Sequence, residues 1–263
     1  MGIPADVPEP RRGDAESAGW AQAPSEAASF DAVAGVYAVA RPSYPREVVE
    51  WVLSGNPEVV ADVGAGTGLF TRLLTGPGRA VVAVEPSALM LAVLKREVPG
   101  VLALAGSGEQ LPLADDSVDL IVFAQAWHWV DSAAASTEAE RALRPGGELV
   151  LLWNLRDERV PWVRALGEAM RADGDHFRGD PDLPSVGAEF GEPESFTNEW
   201  VREVTLPQLL DDVRSRSYFA LLSQAEQGAV LDSVTRVAEG ATDASGTMEL
   251  PYVTAAYRYA PAD

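Results

Sequence analysis

Three stretches of this chain carry residue types whose spacing could do chemistry. The first is Asp62-Val63-Gly64-Ala65-Gly66-Thr67-Gly68. An apolar run, Val59 to Val63, leads into it, and a helical stretch from Leu69 leads out. Glycines at such a turn let the backbone pass close to a ligand at a helix N-terminus, with positive φ where needed. Glu85 ends the next apolar run, 17 positions after Gly68. A carboxylate there can accept from both hydroxyls of a ribose. Dinucleotide sites space their glycines G-x-G-x-x-G. Here the third glycine comes one residue early, and an aspartate stands two residues before the loop. This pattern favours a nucleoside that lacks a pyrophosphate and carries an amino-acid group. The second stretch is Trp127-His128-Trp129. Histidine titrates near neutrality, so His128 could serve as a general base, with the flanking indoles as a dry wall. The alternative is a packing and hydrogen-bonding histidine beside the ligand. The third group is Asn154, Arg156 and Tyr218, candidates for contact with a substrate. Arg156 could hold an anion or pair with Asp157 or Glu158, and Tyr218 also suits a core position. His176 reads as solvated. The group Asp173, Asp175, Asp180 and Asp182 lacks the spacing and closing glutamate of a calcium loop, so no metal is expected.

Composition narrows the partners. The chain has 263 residues, 20 Lys plus Arg and 40 Asp plus Glu, for a formal net charge of −20. Nucleic acid and a polybasic membrane contact are disfavoured, because both want a basic face. With no cysteine, thiolate metal sites, disulfides and a cysteine nucleophile are excluded. With two histidines, a three-histidine zinc site is excluded as well. There is no run of 18 apolar residues, and Met1 to Asp6 has neither a basic nor an apolar leader region. A cytoplasmic protein acting on a small molecule is expected.

These residues need a scaffold, and the apolar pattern supplies one. Residues 1–28, rich in Pro, Ala, Glu and Gly, read as a flexible tail, and 29–263 as one domain. Within it, 29–57 read as lid helices, 58–155 as the ligand-binding core, and 156–263 as a substrate-side insertion with the last two strands. Strands are expected at 59–63, 80–84, 101–104, 118–123 and 148–153, alternating with helices at 69–75, 87–97 and 131–143. Such alternation builds a doubly wound parallel sheet with helices on both faces. Beyond it, helices are expected at 160–172, 209–216 and 225–238, a surface loop at 173–198, and strands at 200–206 and 252–259. The late strands read as an antiparallel pair at one sheet edge, completing a seven-stranded, mostly parallel α/β fold.

Taken together, the ordered motifs resemble a class I S-adenosylmethionine-dependent methyltransferase, in the branch of the menaquinone-biosynthesis and trans-aconitate methyltransferases. The resemblance rests on Asp62 to Gly68, Val84-Glu85-Pro86-Ser87 with Met90, and Gly106-Ser107-Gly108-Glu109-Gln110-Leu111-Pro112-Leu113. It continues through Ser117-Val118-Asp119, Ala124-Gln125-Ala126-Trp127-His128-Trp129 and Leu143-Arg144-Pro145-Gly146-Gly147. It implies S-adenosylmethionine as cofactor. Asp62, Gly64, Ala65, Gly66 and Gly68 would lie along its methionine part, and Glu85 would hold the ribose. Pro86 and Met90 would flank the adenine, with Ser107, Gly108 and Glu109 at its edge and Gln125 and Ala126 lining the crevice. Ser107 replaces the aspartate that many relatives carry. Tyr37 and Arg41, in a Tyr-x-x-x-Arg-Pro arrangement, resemble a lid that reaches the methionine carboxylate.

Methyl transfer from a sulfonium is an in-line displacement that must align its partners and exclude water. Because His128 is available, a hydroxyl of a saccharide or natural-product alcohol is the first expectation for the acceptor. A carboxylate, giving a methyl ester, is the alternative, and a quinone-type ring carbon the third. A monomer or homodimer is expected, with Trp200, Val204 and Leu206 as either an edge contact or core.

Overall fold

The computed structural model describes residues 41–170 and 184–262. Expectations for the tail, Tyr37, His176 and the acidic group from Asp173 to Asp182 lie outside the described residues. Strands β1 (Val59–Val63), β2 (Ala80–Val84), β3 (Leu102–Leu104), β4 (Val118–Ala124) and β5 (Leu143–Arg156) pair in parallel. Strands β6 (Glu194–Thr205) and β7 (Thr247–Tyr259) complete a seven-stranded sheet of order β3-β2-β1-β4-β5-β7-β6. β7 runs antiparallel to both neighbours and so stands second from the edge, with β6 outside it.

The parallel strands are apolar on both faces because both faces are covered. All five residues of β1 are buried. Alternate side chains serve opposite sides of the sheet. Ala61, Ile121, Phe123, Leu151 and Trp153 join one core, while Val60, Leu120, Val122 and Leu152 join another. Helix α1 (Arg46–Val52) starts after Pro45 and contributes Val48 and Val52 to the second of these. α2 (Thr71–Leu74) follows the glycine loop. α3 (Ala88–Glu97) is capped by Ser87 and α4 (Ser132–Ala142) by Asp131, whose side chains accept from Met90 N at 3.2 Å and Ala134 N at 2.9 Å.

The C-terminal half builds a separate core. It packs α5 (Pro161–Ala169), α6 (Leu206–Arg214) and α8 (Gln224–Glu239) against β6 and β7, through Val163, Leu166, Leu209, Val213, Val230, Val234, Met248 and Leu250. Here the sequence-based boundaries shift most. The strand expected at 200–206 begins at Glu194, because its first residues are polar and largely solvent-facing, as an edge strand allows. α6 starts three residues earlier than expected, held by a reciprocal capping box between Thr205 and Gln208. α7 (Ser217–Leu221) was not anticipated. Val204 is 1% exposed and Trp200 stacks on Tyr252, so both serve the core, whereas Val201 is the exposed apolar residue of β6. No helix among the described residues is long and apolar enough to cross a membrane.

Candidate cofactor and acceptor site

The glycine loop leaves the carboxyl end of β1. Gly64, Gly66 and Gly68 all have positive φ. A Cβ on Gly64 would lie 2.5 Å from the Ala126 side chain, and one on Gly68 2.7 Å from that of Val98. The loop therefore sits directly on the segment after β4 and on α3. The amides of Gly64 and Ala65 donate to Val84 O. Glu85, 5% exposed, ties the end of β2 to the loop: Oε2 accepts from Gly66 N at 2.7 Å and Oε1 from Ser87 N at 2.8 Å. Asp62 is 1% exposed; its Oδ2 accepts from Thr71 Oγ1 at 2.6 Å, while its Oδ1 is buried with no partner. Burial pushes the Asp62 carboxyl up to about 7; the Thr71 bond opposes this and the Glu85 charge adds to it.

Around this centre the expected contacts divide. Pro86 is exposed at the rim. Met90 is 5% exposed and lies beneath the loop, with Sδ 3.9 Å from where a Gly66 Cβ would stand, while the neighbouring Leu89 is 52% exposed. The α3 register puts Leu89 outward and Met90 inward. Gly108 is where it is for packing, since a Cβ there would meet Phe123 and Val130 at 3.0 Å. Ser107 pairs across a short turn with Gln110, and the Glu109 side chain accepts from Asp131 N at 3.0 Å at the start of α4. Gln125 holds a left-handed backbone (φ 60°) at the end of β4, and its Nε2 donates to Asn154 O at 2.9 Å.

The Trp-His-Trp stretch forms one 3-10 turn. Trp127 proves to be a core residue: it is 4% exposed, stacks edge-on to Phe123 and donates to Ser185 O at 2.9 Å. Trp129 is 39% exposed, and its ring lies beside that of His128 with centroids 4.8 Å apart. His128 is half-buried, and its Nδ1 faces Trp153 Nε1–H at 3.3 Å. Trp153 was missed as its partner; the signal lay in an indole on an inward position of β5. Asn154 acts as a clip. Its Oδ1 accepts from Thr254 Oγ1 at 2.5 Å and its Nδ2 donates to Ser43 O at 3.3 Å, so the side chain already has protein partners.

Beyond β5 the structure gathers Arg156, Tyr218 and, from the N-terminal segment, Arg41, all of which act electrostatically on Asp212 or on one another. Sequence reasoning missed three further members, Asp212, Arg216 and Tyr252. Arg216 Nη2 lies 3.1 Å from Asp212 Oδ2, and Tyr252 is the cross-strand neighbour of Arg156. Burial and the Arg216 charge lower the Arg156 pKa. Asp157, the other partner considered for Arg156, binds Arg159 instead at 2.7 Å. Among the described residues no three His, Asp or Glu gather as a metal would require.

Residues 61–151 match the family described as Methyltransferase domain. An uncharacterized methyltransferase of Mycobacterium tuberculosis H37Rv is 44% identical over 88% of this chain and 94% of its own length. A methyltransferase-like protein of Schizosaccharomyces pombe is 31% identical over 84% of this chain and 91% of its own. The chain belongs to the class I S-adenosylmethionine-dependent methyltransferases. A malonyl-[acyl-carrier protein] O-methyltransferase of Methylococcus capsulatus matches at 40% identity, over 40% of this chain and 42% of its own. The fold matches a solved structure from Anaeromyxobacter dehalogenans, provisionally assigned as a type II methyltransferase. That match has a TM-score of 0.65 and 22% identity, and covers 83% of this chain and 97% of that one.

The methyltransferase's residues fit S-adenosylmethionine. The orphaned Asp62 Oδ1 suits an ammonium group, the Glu85 carboxylate at the end of β2 is the group that would accept from ribose hydroxyls, and the loop has no Cβ at Gly66 to block approach. Bound there, the cofactor supplies an electrophilic methyl group on a sulfonium. Asp62, Glu85 and the glycine loop are the residues that would hold that group, at the carboxyl edge of β1 and β2.

Proposed function

We propose that this methyltransferase delivers the methyl group to a carboxylate oxygen of a small molecule, making a methyl ester. The observation that supports this reading is the Trp153 N–H set against His128 Nδ1 at 3.3 Å. An indole N–H only donates, so Nδ1 must accept, and the proton of the neutral imidazole then sits on Nε2. A hydroxyl acceptor, the first expectation from sequence, needs a lone pair to receive its proton. His128 has its accepting nitrogen engaged and carries a donor on the other. A carboxylate is already ionised at neutral pH and asks for no base. An N–H on His128 can instead orient such an oxygen. The partial match to malonyl-[acyl-carrier protein] O-methyltransferase supports oxygen as the receiving element.

The test supplies S-adenosylmethionine labelled in its methyl group together with fractionated metabolites, then treats the products with mild alkali. Methyl esters should release the label as methanol. Label retained through alkali, on an ether or a ring carbon, would overturn the ester reading.

A further inference from the structure

The C-terminal half buries more positive charge than its described carboxylates neutralise. Arg156 ends β5 and Arg216 follows α6. Asp212, 1% exposed, is paired with Arg216 at 3.1 Å. Arg156 makes no ion pair with a described carboxylate; its Nη1 faces the Met170 thioether, a weak acceptor. Tyr252 stands opposite Arg156 on the β5–β7 ladder, Arg216 is ion-paired to Asp212, Tyr218 follows two residues after Arg216, and the charges of Arg156, Arg216 and Asp212 act on both tyrosines. Three further donors are buried there without a hydrogen-bond partner: Arg216 Nε, the Tyr218 hydroxyl and the Tyr252 hydroxyl. Tyr252 is only 2% exposed, its ring fixed by stacking on Trp200 at 4.8 Å. Buried polar groups are rarely left unpaired, and a buried tyrosine hydroxyl usually finds a partner. An idle set of donors beside a surplus guanidinium is an anion site in waiting.

Its position links it to the reaction. Arg156 lies two residues beyond Asn154, which is bonded to Gln125 at the end of β4. The cluster therefore borders the crevice, at the same end of the sheet as the glycine loop.

We propose that Arg156, Arg216, Tyr218 and Tyr252 form the receptor for a carboxylate that anchors the methyl acceptor. This rests on reading the protein as a small-molecule methyltransferase. An excess of guanidinium over carboxylate calls for an anion, and the Arg156 fork matches the two oxygens of a carboxylate in shape. The anchoring carboxylate is not the reacting one, because donors on its lone pairs would blunt it as a nucleophile. Combined with the ester reading, the acceptor is an acid with at least two carboxylates.

The experiment uses the full chain saturated with S-adenosylhomocysteine, the demethylated cofactor. Succinate is the probe, read by saturation-transfer NMR and calorimetry, with butane-1,4-diol and inorganic phosphate as comparators. Succinate should bind and the diol should not, with phosphate weaker than succinate. Arg156→Gln should weaken succinate about tenfold or more, as loss of a buried charge partner does. Tyr252→Phe, which keeps the stacked ring, should weaken it about tenfold, the lower end of the scale for one hydrogen bond to a charged group. S-adenosylhomocysteine affinity should stay within about twofold in both variants, a difference of under 1 kcal/mol. No succinate binding, equal binding in the wild type and Tyr252→Phe, or phosphate as tight as succinate would each overturn the proposal. Should Arg156→Gln fail to fold, Tyr252→Phe and Arg156→Lys carry the same comparison. The two readings fail separately. An acid that binds through Arg156 but yields an alkali-stable methyl product retains the receptor and removes the ester. An alkali-labile product whose KM is unmoved by Arg156→Gln does the reverse.

Discussion

The two ends of one sheet edge are built with opposite charge. At the carboxyl ends of β1 and β2 stand Asp62 and Glu85, carboxylates exposed by 1% and 5%. At the end of β5 stands Arg156, and just after α6 stands Arg216. Each region leaves buried polar atoms unpaired, Asp62 Oδ1 in one and Arg216 Nε with two tyrosine hydroxyls in the other. The difference teaches that the edge is electrostatically polarised, and it is this polarity that the proposal of a cationic donor and an acidic acceptor uses. It also separates two ways of building a site. The cofactor half is held by local backbone contacts, as where Glu85 accepts from Gly66 and Ser87. The proposed acceptor half is assembled from residues 100 or more positions apart in sequence, as in the Thr254–Asn154–Ser43 clip.

The largest expected effect breaks the cofactor half alone. Gly64 combines φ +68° with a Cβ position 2.5 Å from Ala126. Gly64→Val should cost about 2–4 kcal/mol, from a left-handed backbone plus overpacking, and abolish S-adenosylhomocysteine binding. Gly146→Ala is the control: φ is +81° but nothing lies within 4 Å, so only about 1 kcal/mol of backbone cost should appear. Urea unfolding and calorimetry measure both. Equal effects at the two glycines would mean that close approach at Gly64 is unimportant.

Asp62 gives the next effect, and it has a sign. Its carboxyl titrates at about 7 in the folded protein against an ordinary 3.8. Between these values the folded state holds a proton that the unfolded state has lost. The stability it contributes is full below pH 3.8 and declines as pH rises through about 7. Other carboxylates act the opposite way: Asp119, bonded to Arg144 and to the Val59 and Glu58 amides despite partial burial, is lowered. The difference between wild type and Asp62→Asn isolates the Asp62 part. That difference should change by on the order of a few kcal/mol between pH 4.5 and 7.5, with the Asn variant relatively more stable at the higher pH. The same variant should bind the cofactor about tenfold more weakly, since it loses a charge-assisted bond. Wild-type binding near pH 6 should release a proton, detectable by calorimetry in buffers of different ionisation enthalpy. Binding without proton release would mean that no cation reaches Asp62 Oδ1.

The contrast between the halves also explains what the sequence discloses. The order of β1 to β5, the caps Ser87 and Asp131, and the loop with Glu85 all follow from short-range pattern. Each is set by residues within about 20 positions, a range over which periodicity and turn chemistry are decisive. The acceptor half is less legible. Arg156 and Tyr218 stand out as residue types, but nothing local says that Asp212, Arg216 and Tyr252 meet them. That meeting depends on β7 inserting antiparallel beside β5, which puts Tyr252 opposite Arg156. Trp127 misleads for a related reason, since a Trp beside a histidine in sequence has its indole in the core. The partner that matters to His128 is Trp153, 25 residues away.

His128 tests where the halves meet. His128→Ala should bind cofactor normally and lose about tenfold in kcat, the value of one orienting hydrogen bond to a charged oxygen. His128→Asn, which keeps an N–H donor but cannot act as a base, should recover most of that loss. A kcat profile flat from pH 6 to 8 should accompany both the wild type and His128→Asn. A loss in His128→Asn as deep as in His128→Ala, with a wild-type limb near neutrality, would return the base and the hydroxyl acceptor.

The smallest effect is the most selective. Trp153→Phe keeps an aromatic ring on β5 and removes only the N–H that faces His128 Nδ1. One neutral hydrogen bond is at stake, so stability should fall by about 0.5–1.5 kcal/mol and cofactor affinity should not move. Nitrogen-15 spectra of the two proteins then read the imidazole directly. In the wild type, Nδ1 should be the unprotonated, pyridine-like nitrogen and Nε2 the protonated one. Removing the indole donor should let the two tautomers mix. An indole cannot accept, so a wild-type spectrum with the proton on Nδ1 is incompatible with the observed contact. That spectrum would leave Nε2 with a lone pair, make an alcohol acceptor the better reading, and leave the arginine receptor to stand or fall on the succinate experiment.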